Sequence, residues 1–222
     1  MITVINGRRE QGKTTLAYFL SLRRPTRVIF DPRRMFATSP VIISDPLELF
    51  ELMDEVPEII VQPETDVQNV FLRTAQEFRE WILQNPEEPA CLLVDESRFI
   101  DTPNITYEPF EAILRFSPTQ LVDVVMTSHR PSDIDVNIRA IADFLIYFRT
   151  TQEHDLRVIV QRCGEGVGEI VQALPDKNFL VWDDRIALYR VEKDTDKWRV
   201  DLKAVNSLSQ VNNGSTQATH SL

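Results

Sequence analysis

Met1-Ile2-Thr3-Val4-Ile5-Asn6-Gly7-Arg8-Arg9-Glu10-Gln11-Gly12-Lys13-Thr14-Thr15 is the stretch whose reading decides the fold. Within it GRREQGKT, residues 7–14, fits the pattern G-x-x-x-x-G-K-[ST]. The apolar residues 2–5 ahead of it predict a buried strand, and residues 15–22 behind it predict a helix. Strand, glycine loop and helix together are the context that gives this pattern its meaning. Gly7 and Gly12 let the backbone turn back and aim N–H groups at phosphate oxygens, and the helix N-terminus adds the positive end of its dipole. Residues Gly7, Arg8, Arg9, Glu10, Gln11, Gly12, Lys13, Thr14 and Thr15 are therefore the expected nucleotide-binding set. Lys13 would reach the β- and γ-phosphates, and the Thr14 hydroxyl would ligate Mg²⁺. A chance glycine turn would require neither the lysine, the hydroxyl nor the flanking elements. ATP and Mg²⁺ are the expected ligands.

Outward from that loop, the chain alternates strand and helix. Residues 27–31 predict a second buried strand, ended by Pro32, and residues 41–43 a short one. Ser44 or Asp45 can cap a helix running to about residue 53. Residues 58–62 predict a strand closed by Pro63. Residues 66–84 predict a helix, with Val67, Val70, Phe71, Ala75, Phe78, Trp81 and Ile82 on one stripe. The run Ala90-Cys91-Leu92-Leu93-Val94 is apolar throughout, as a central parallel strand buried on both faces must be. A loop and helix lead to about residue 116. A strand follows over residues 121–127, a short helix over 133–140, a strand over 143–148 and a helix over 153–162. Gly164, Gly166 and Gly168 do not open a helix after a strand, so they read as a flexible turn. The remainder predicts β structure at 169–173, 179–182 and 186–191, the last two joined as a hairpin by Asp183-Asp184-Arg185. The sum is one folded domain over residues 1–204 and a disordered polar tail over 205–222. The fold class is α/β: a P-loop NTPase core with a mainly parallel central sheet, helices on both faces and a C-terminal β-hairpin.

Composition sets limits around this. Apolar residues make up 43% and charged residues 26% of the 222, enough for a sizeable core. No segment is apolar enough for long enough to span a membrane, and the chain enters a strand at once, so no secretory leader is expected. Cys91 and Cys163 lie far apart without metal-ligand spacing and flank apolar runs, as buried thiols of an intracellular protein would. The net charge is -10, but residues 1–34 carry eight Lys/Arg against two Asp/Glu, while residues 35–126 carry four against eighteen. So acidic a chain does not wrap nucleic acid by bulk charge. The pairs Arg8-Arg9, Arg23-Arg24 and Arg33-Arg34 read as solvated faces by composition; as DNA contacts they are expected outside the nucleotide pocket, on one face or at a pore.

The second half of a nucleotide site follows the apolar run. Asp95 is placed to hold Mg²⁺ through water, and Glu96 to polarise an attacking water as general base. Two acids at a strand end are common by themselves; coupled to the glycine loop they point to hydrolysis. Ser128-His129 ends another predicted strand, where open α/β sheets place ligand-binding groups, so either can touch the γ-phosphate or the water, or serve only the loop. His154 and His220 suggest no metal.

These residues together resemble the HerA–FtsK superfamily of ring-forming, DNA-pumping ATPases, over about residues 1–192. GRREQGKT and CLLVDE are generic to P-loop proteins. More specific are MTSHRPSDIDVNIRAIADFLIYFRTTQEHDLRVI, residues 126–159, and the hairpin FLVWDDRIALYRV. Members usually carry Gln or Asn at the sensor position, where this chain has Ser128-His129. The resemblance implies an arginine acting on a neighbouring subunit's site; Arg115 matches it by placement, with Arg98, Arg130 and Arg149 as alternatives. It also implies a homo-oligomeric ring, a hexamer or pentamer, acting on double-stranded DNA. Lacking the extra domains of HerA and FtsK, the chain is most similar to viral genome-packaging ATPases. A capsid or portal protein is then a further partner, and the host cytoplasm or the virion vertex the location. The alternatives are a filamentous-phage assembly ATPase of the Zot type, a nucleotide-gated binding module without motor activity, and a small-molecule kinase.

Overall fold

The computed structural model describes residues 1–36, 39, 41–100, 108–116, 121–183, 186–194 and 197–201. Ten strands form one sheet: β1 (Ile2–Asn6), β2 (Thr26–Phe30), β3 (Ile42–Ile43), β4 (Glu58–Val61), β5 (Ala90–Val94), β6 (Val122–Ser128), β7 (Phe144–Phe148), β8 (Asn178–Trp182), β9 (Ile186–Asp194) and β10 (Lys197–Asp201). Their order across the sheet is β10-β9-β8-β7-β1-β6-β5-β2-β4-β3. From β7 to β3 every neighbouring pair is parallel; from β7 to β10 every pair is antiparallel. Parallel strands require helical crossovers. These are α1 (Lys13–Ser21), α2 (Leu49–Glu55), α3 (Val67–Gln84), α4 (Glu108–Phe116) and α5 (Val136–Ile141); α6 (Glu153–Cys163) and α7 (Glu165–Ala173) lead into the antiparallel end.

Alternation along the strands sorts the core into layers. Ile5, Ile29, Leu93, Val125 and Phe148 face α1, packing on Leu16 and Ala17. On the opposite face Phe30, Leu92, Val94 and Met126 pack with Phe71, Phe78 and Trp81 of α3 and Phe110 of α4. Farther along, Val4, Leu145 and Tyr147 meet Ile159, Val167 and Val171 from α6 and α7. The central strands β1 and β5 are buried at every position, because helices cover both faces. Cys91 and Cys163 are both buried.

Two expectations fail. Gly164, Gly166 and Gly168 are no flexible turn, and 169–173 is no strand: the segment is α7. Gly164 alone breaks the helix, at φ 94 and ψ 162, a region open to glycine. The apolar residues Val167, Ile170, Val171 and Leu174 then keep helical spacing and pack beside β7 and β8. A further strand, β10, closes the antiparallel end. Residues 205–222, read as a disordered tail, lie outside the described residues.

Candidate active site

Four adjacent strands, β1, β6, β5 and β2, deliver the polar groups at their C-terminal ends, where an open parallel sheet leaves room for a ligand. The loop from Gly7 to Gly12 closes on itself. Gly7 N–H donates to the Ser128 carbonyl at 3.1 Å, and Arg8 N–H donates to Gln11 Oε1 at 2.7 Å. Gln11 Nε2 donates to the Arg149 carbonyl at 3.1 Å, tying the loop to the end of β7. A Cβ on Gly7 would lie 2.5 Å from Phe148 Cβ, so the approach to β7 admits only glycine. Gly12, at φ 100, turns the chain into α1 without a side-chain cap, leaving the first N–H groups of the helix directed at the loop.

Lys13 is 7% exposed. Its ammonium donates to the Arg8 carbonyl at 2.9 Å and lies 3.2 Å from His129 Nδ1. Burial pulls its pKa down to about 8, with Glu96 and Asp95 opposing that shift. Thr14 Oγ1 donates to Asp95 Oδ1 at 3.2 Å. Thr127 Oγ1, from β6, donates to the same Oδ1 at 2.8 Å and accepts from Glu96 N–H at 2.9 Å. One buried hydroxyl thus fixes both acids. Burial raises the Asp95 pKa, and the Thr127 hydrogen bond opposes the rise. A hydroxyl beside a carboxylate is the donor set that Mg²⁺ takes when nucleotide phosphates and waters complete its shell, so Thr14 and Asp95 fit that ion. No cluster of three His, Cys, Asp or Glu side chains able to hold a metal exists among the described residues.

Glu96 is 2% exposed and sits at φ 59, a conformation that costs a non-glycine residue about 1–2 kcal/mol. Its Oε2 accepts from Arg33 Nη1 at 3.0 Å and lies 2.8 Å from His129 Nε2; Arg98 Nε lies 3.3 Å from Oε1. Arg33 Nη1 is also 2.7 Å from His129 Nε2. Burial lowers the His129 pKa, and the Lys13 ammonium lowers it further. Glu96 opposes that shift, whose net direction favours the neutral ring, which offers a single acceptor nitrogen.

The structure brings Gly7 to Thr15, Asp95, Glu96 and His129 together. Ser128 is buried, but its Oγ donates to the Arg130 carbonyl at 3.1 Å and accepts from Arg130 N–H at 3.3 Å, so it serves the turn rather than the cleft. Arg115 lies apart on α4, 74% exposed and ion-paired with Glu111 one turn earlier. A cleft of about 330 Å³ beside it is lined by Arg79, Glu108, Glu111 and Ala112.

The basic pairs are split between the two ends of the strands, Arg8 lying in the nucleotide loop at the same end as Arg33. Arg24 makes two hydrogen bonds to Asp123 at the start of β6, whereas Arg33 sits on Glu96 at the opposite end of the strands, inside the pocket it was expected to avoid. Sequence reasoning missed Arg33 and Thr127 as site residues. Arg33 is carried inward by a loop that the buried Asp31 holds, accepting from Met35 N–H at 3.0 Å, Phe36 N–H at 2.9 Å and Gln62 Nε2 at 2.9 Å. The acid that follows β2 was an available signal.

No protein-family model matches the sequence, and no curated protein matches it. Solved structures do. The genome packaging NTPase B204 of Sulfolobus turreted icosahedral virus 2, in complex with ATP-gammaS, is 18% identical with a TM-score of 0.71, covering 84% of this chain and 95% of that one. B204, the DNA-packaging ATPase of Sulfolobus turreted icosahedral virus, is 17% identical with a TM-score of 0.69, over 84% and 95%. VirB4 of Thermoanaerobacter pseudethanolicus is 11% identical with a TM-score of 0.66, over 87% and 89%. At these identities the likeness is one of fold, and that fold is the P-loop NTPase fold.

Proposed function

We propose that this chain is an ATP-hydrolysing motor that moves double-stranded DNA, of the kind that packages viral genomes. The observation that carries the reading is the Thr14–Asp95 pair beside the buried Lys13, with Glu96 one residue on. Its fold is shared with a packaging NTPase described in complex with ATP-gammaS. Thr14 and Asp95 would hold Mg²⁺, which neutralises phosphate charge when bound. Lys13 faces the terminal phosphates, and the loop N–H groups orient them. Glu96 takes the proton of the attacking water, and His129, between Lys13 and Glu96, is the sensor in place of Ser128. Arg115, exposed on α4, would act on a neighbouring protomer's site, which makes a ring the working form. No helix among the described residues is long and apolar enough to cross a membrane. The location inferred is the host cytoplasm or the virion vertex, with a portal or capsid protein as partner.

The test is the ATPase rate with and without linear double-stranded DNA, alongside the mass in solution. Hydrolysis stimulated by DNA in an oligomer is expected. A monomer indifferent to DNA overturns the motor, and absence of hydrolysis overturns the enzyme. Glu96→Gln should bind ATP and stop turning over, since an amide cannot take the proton.

A further inference from the structure

Arg33, Arg98 and His129 meet at Glu96, Lys13 meets the far side of the His129 ring, and the imidazole cannot accept from both cations that flank it. The neutral His129 ring has one acceptor nitrogen, yet two donors with fixed charge flank it: Lys13 Nζ at 3.2 Å from Nδ1 and Arg33 Nη1 at 2.7 Å from Nε2. If Nε2 carries the proton and donates to Glu96 Oε2, Lys13 is accepted at Nδ1 and Arg33 faces another N–H. If Nδ1 carries it, Arg33 is accepted and Lys13 faces an N–H. In either tautomer one cation meets a donor, and the arrangement calls for an anion. Glu96 supplies part of that need through Oε2. This occupies the oxygen that would take a proton from water, so the arrangement is a resting one.

We propose that Arg33 is a terminal-phosphate sensor that exchanges Glu96 for the γ-phosphate of a bound nucleoside triphosphate. The inference rests on the nucleotide-hydrolysis reading above. Lys13, which faces the terminal phosphates, and Arg33 lie on the two nitrogens of one imidazole, so a phosphoryl group met by the first is within a ring's breadth of the second. A phosphate with more than one negative charge draws a guanidinium more strongly than a single carboxylate and accepts its fork in the same bidentate way. When Arg33 moves to it, Glu96 Oε2 keeps only His129 Nε2 beside it and gains room for water, and the donor conflict at His129 is relieved. A diphosphate has no group in that place and leaves Arg33 on Glu96. The loop that carries Arg33 is pinned on both sides of it, at Asp31 and at Met35 and Phe36, so the exchange is a movement of the Arg33 side chain and not of the loop.

Glu96 and the γ-phosphate then compete for one guanidinium, and competition has a thermodynamic signature. The probes are ADP and the non-hydrolysed β,γ-methylene analogue of ATP, with Mg²⁺, titrated calorimetrically into the full chain. Arg33→Ala should weaken binding of the triphosphate analogue roughly tenfold to a hundredfold, the worth of one charge-assisted hydrogen-bonded contact, and change ADP binding less than twofold. Glu96→Gln should do the reverse and tighten the analogue several-fold with ADP unchanged. In the double variant the gain from Glu96→Gln should vanish, because nothing is left to compete for. A circular-dichroism melt confirms folding. Should the alanine variant not fold, Arg33→Lys, which keeps the charge and loses the fork, should show a smaller loss in the same direction. Equal losses for both nucleotides, or a Glu96→Gln gain that survives without Arg33, overturn the exchange while leaving the ATPase reading intact. A wild-type chain that binds neither nucleotide overturns both.

Discussion

At the scale of residues, the site holds charge where solvent does not reach, and this costs stability. Lys13 has its pKa lowered from 10.5 to about 8, chiefly by burial. Below pH 8 both folded and unfolded chains carry the proton, and the folded one bears the full cost of the buried ammonium, on the order of 3 kcal/mol at 1.4 kcal/mol per unit. That cost is relieved as pH rises from 8 and is gone above 10.5. Lys13→Met, similar in shape and uncharged, is therefore expected to be more stable than the wild type by about 1–3 kcal/mol at pH 7 while failing to bind ATP. The difference should shrink towards pH 10.5 in urea titrations. Thr127→Val strips the shared anchor from both acids and leaves Glu96 N–H buried and unpaired, at about 1–3 kcal/mol. Its kcat should fall roughly tenfold or more with Kd for ATP within a few-fold, since one charge-assisted contact is lost at the reacting end only. Single-turnover kinetics and equilibrium binding separate the two. Lys13, Thr14, Asp95 and Glu96 were legible in the sequence because each falls in a run whose spacing the chemistry dictates. Arg33 and Thr127 were not. They reach Glu96 from β2 and β6, neighbours of β5 only once the sheet exists.

Among the elements, the strands were read more surely than the helices at the far end. Every parallel strand was visible as a short, mainly apolar run, because a strand covered on both faces admits polar residues only where they find partners, as Asp123 and Thr127 do in β6. The segment after α6 was misread because three glycines within five residues depress helix propensity, and propensity yields to packing when an apolar stripe finds a partner. The two glycines that begin this segment now separate by role. Gly164, at φ 94, should tolerate no other residue cheaply, and Gly164→Ala is expected to cost about 1–3 kcal/mol. Gly166 lies within α7 with nothing within 4 Å of an added Cβ, so Gly166→Ala should gain about 0.5–1 kcal/mol. Thermal melts of the two variants should move in opposite directions; equal shifts would count against a helix starting at Glu165. Neither substitution should change the ATPase rate.

For the whole molecule, the reading of Arg115 depends on more than one chain. Its side chain is 74% exposed and paired within its own helix, with the nucleotide loop elsewhere in the same protomer. Arg115→Ala is expected to bind ATP and assemble as the wild type does, and to hydrolyse on the order of a thousandfold more slowly. Mixed with Glu96→Gln chains it should recover part of the rate, since one class of interface then has both an intact base and an intact arginine. Arg130→Ala and Arg149→Ala belong in the same mixture as controls, and recovery only with one of them moves the role there. The order of the sheet also fixes when any of this can exist. β1, which leads into the nucleotide loop, lies between β6 and β7, so Ile2 pairs with Val124 and Thr3 with Phe144. A ribosome adding about 5–20 residues per second makes β1 wait roughly 6 to 24 seconds for the first of those neighbours. Through that interval an apolar strand with two open edges is exposed to whatever else is being made nearby. The interval between β1 and β6 is thus the period when this strand most needs a chaperone's protection. ATP, arriving at a loop not yet held in place, cannot shorten the wait.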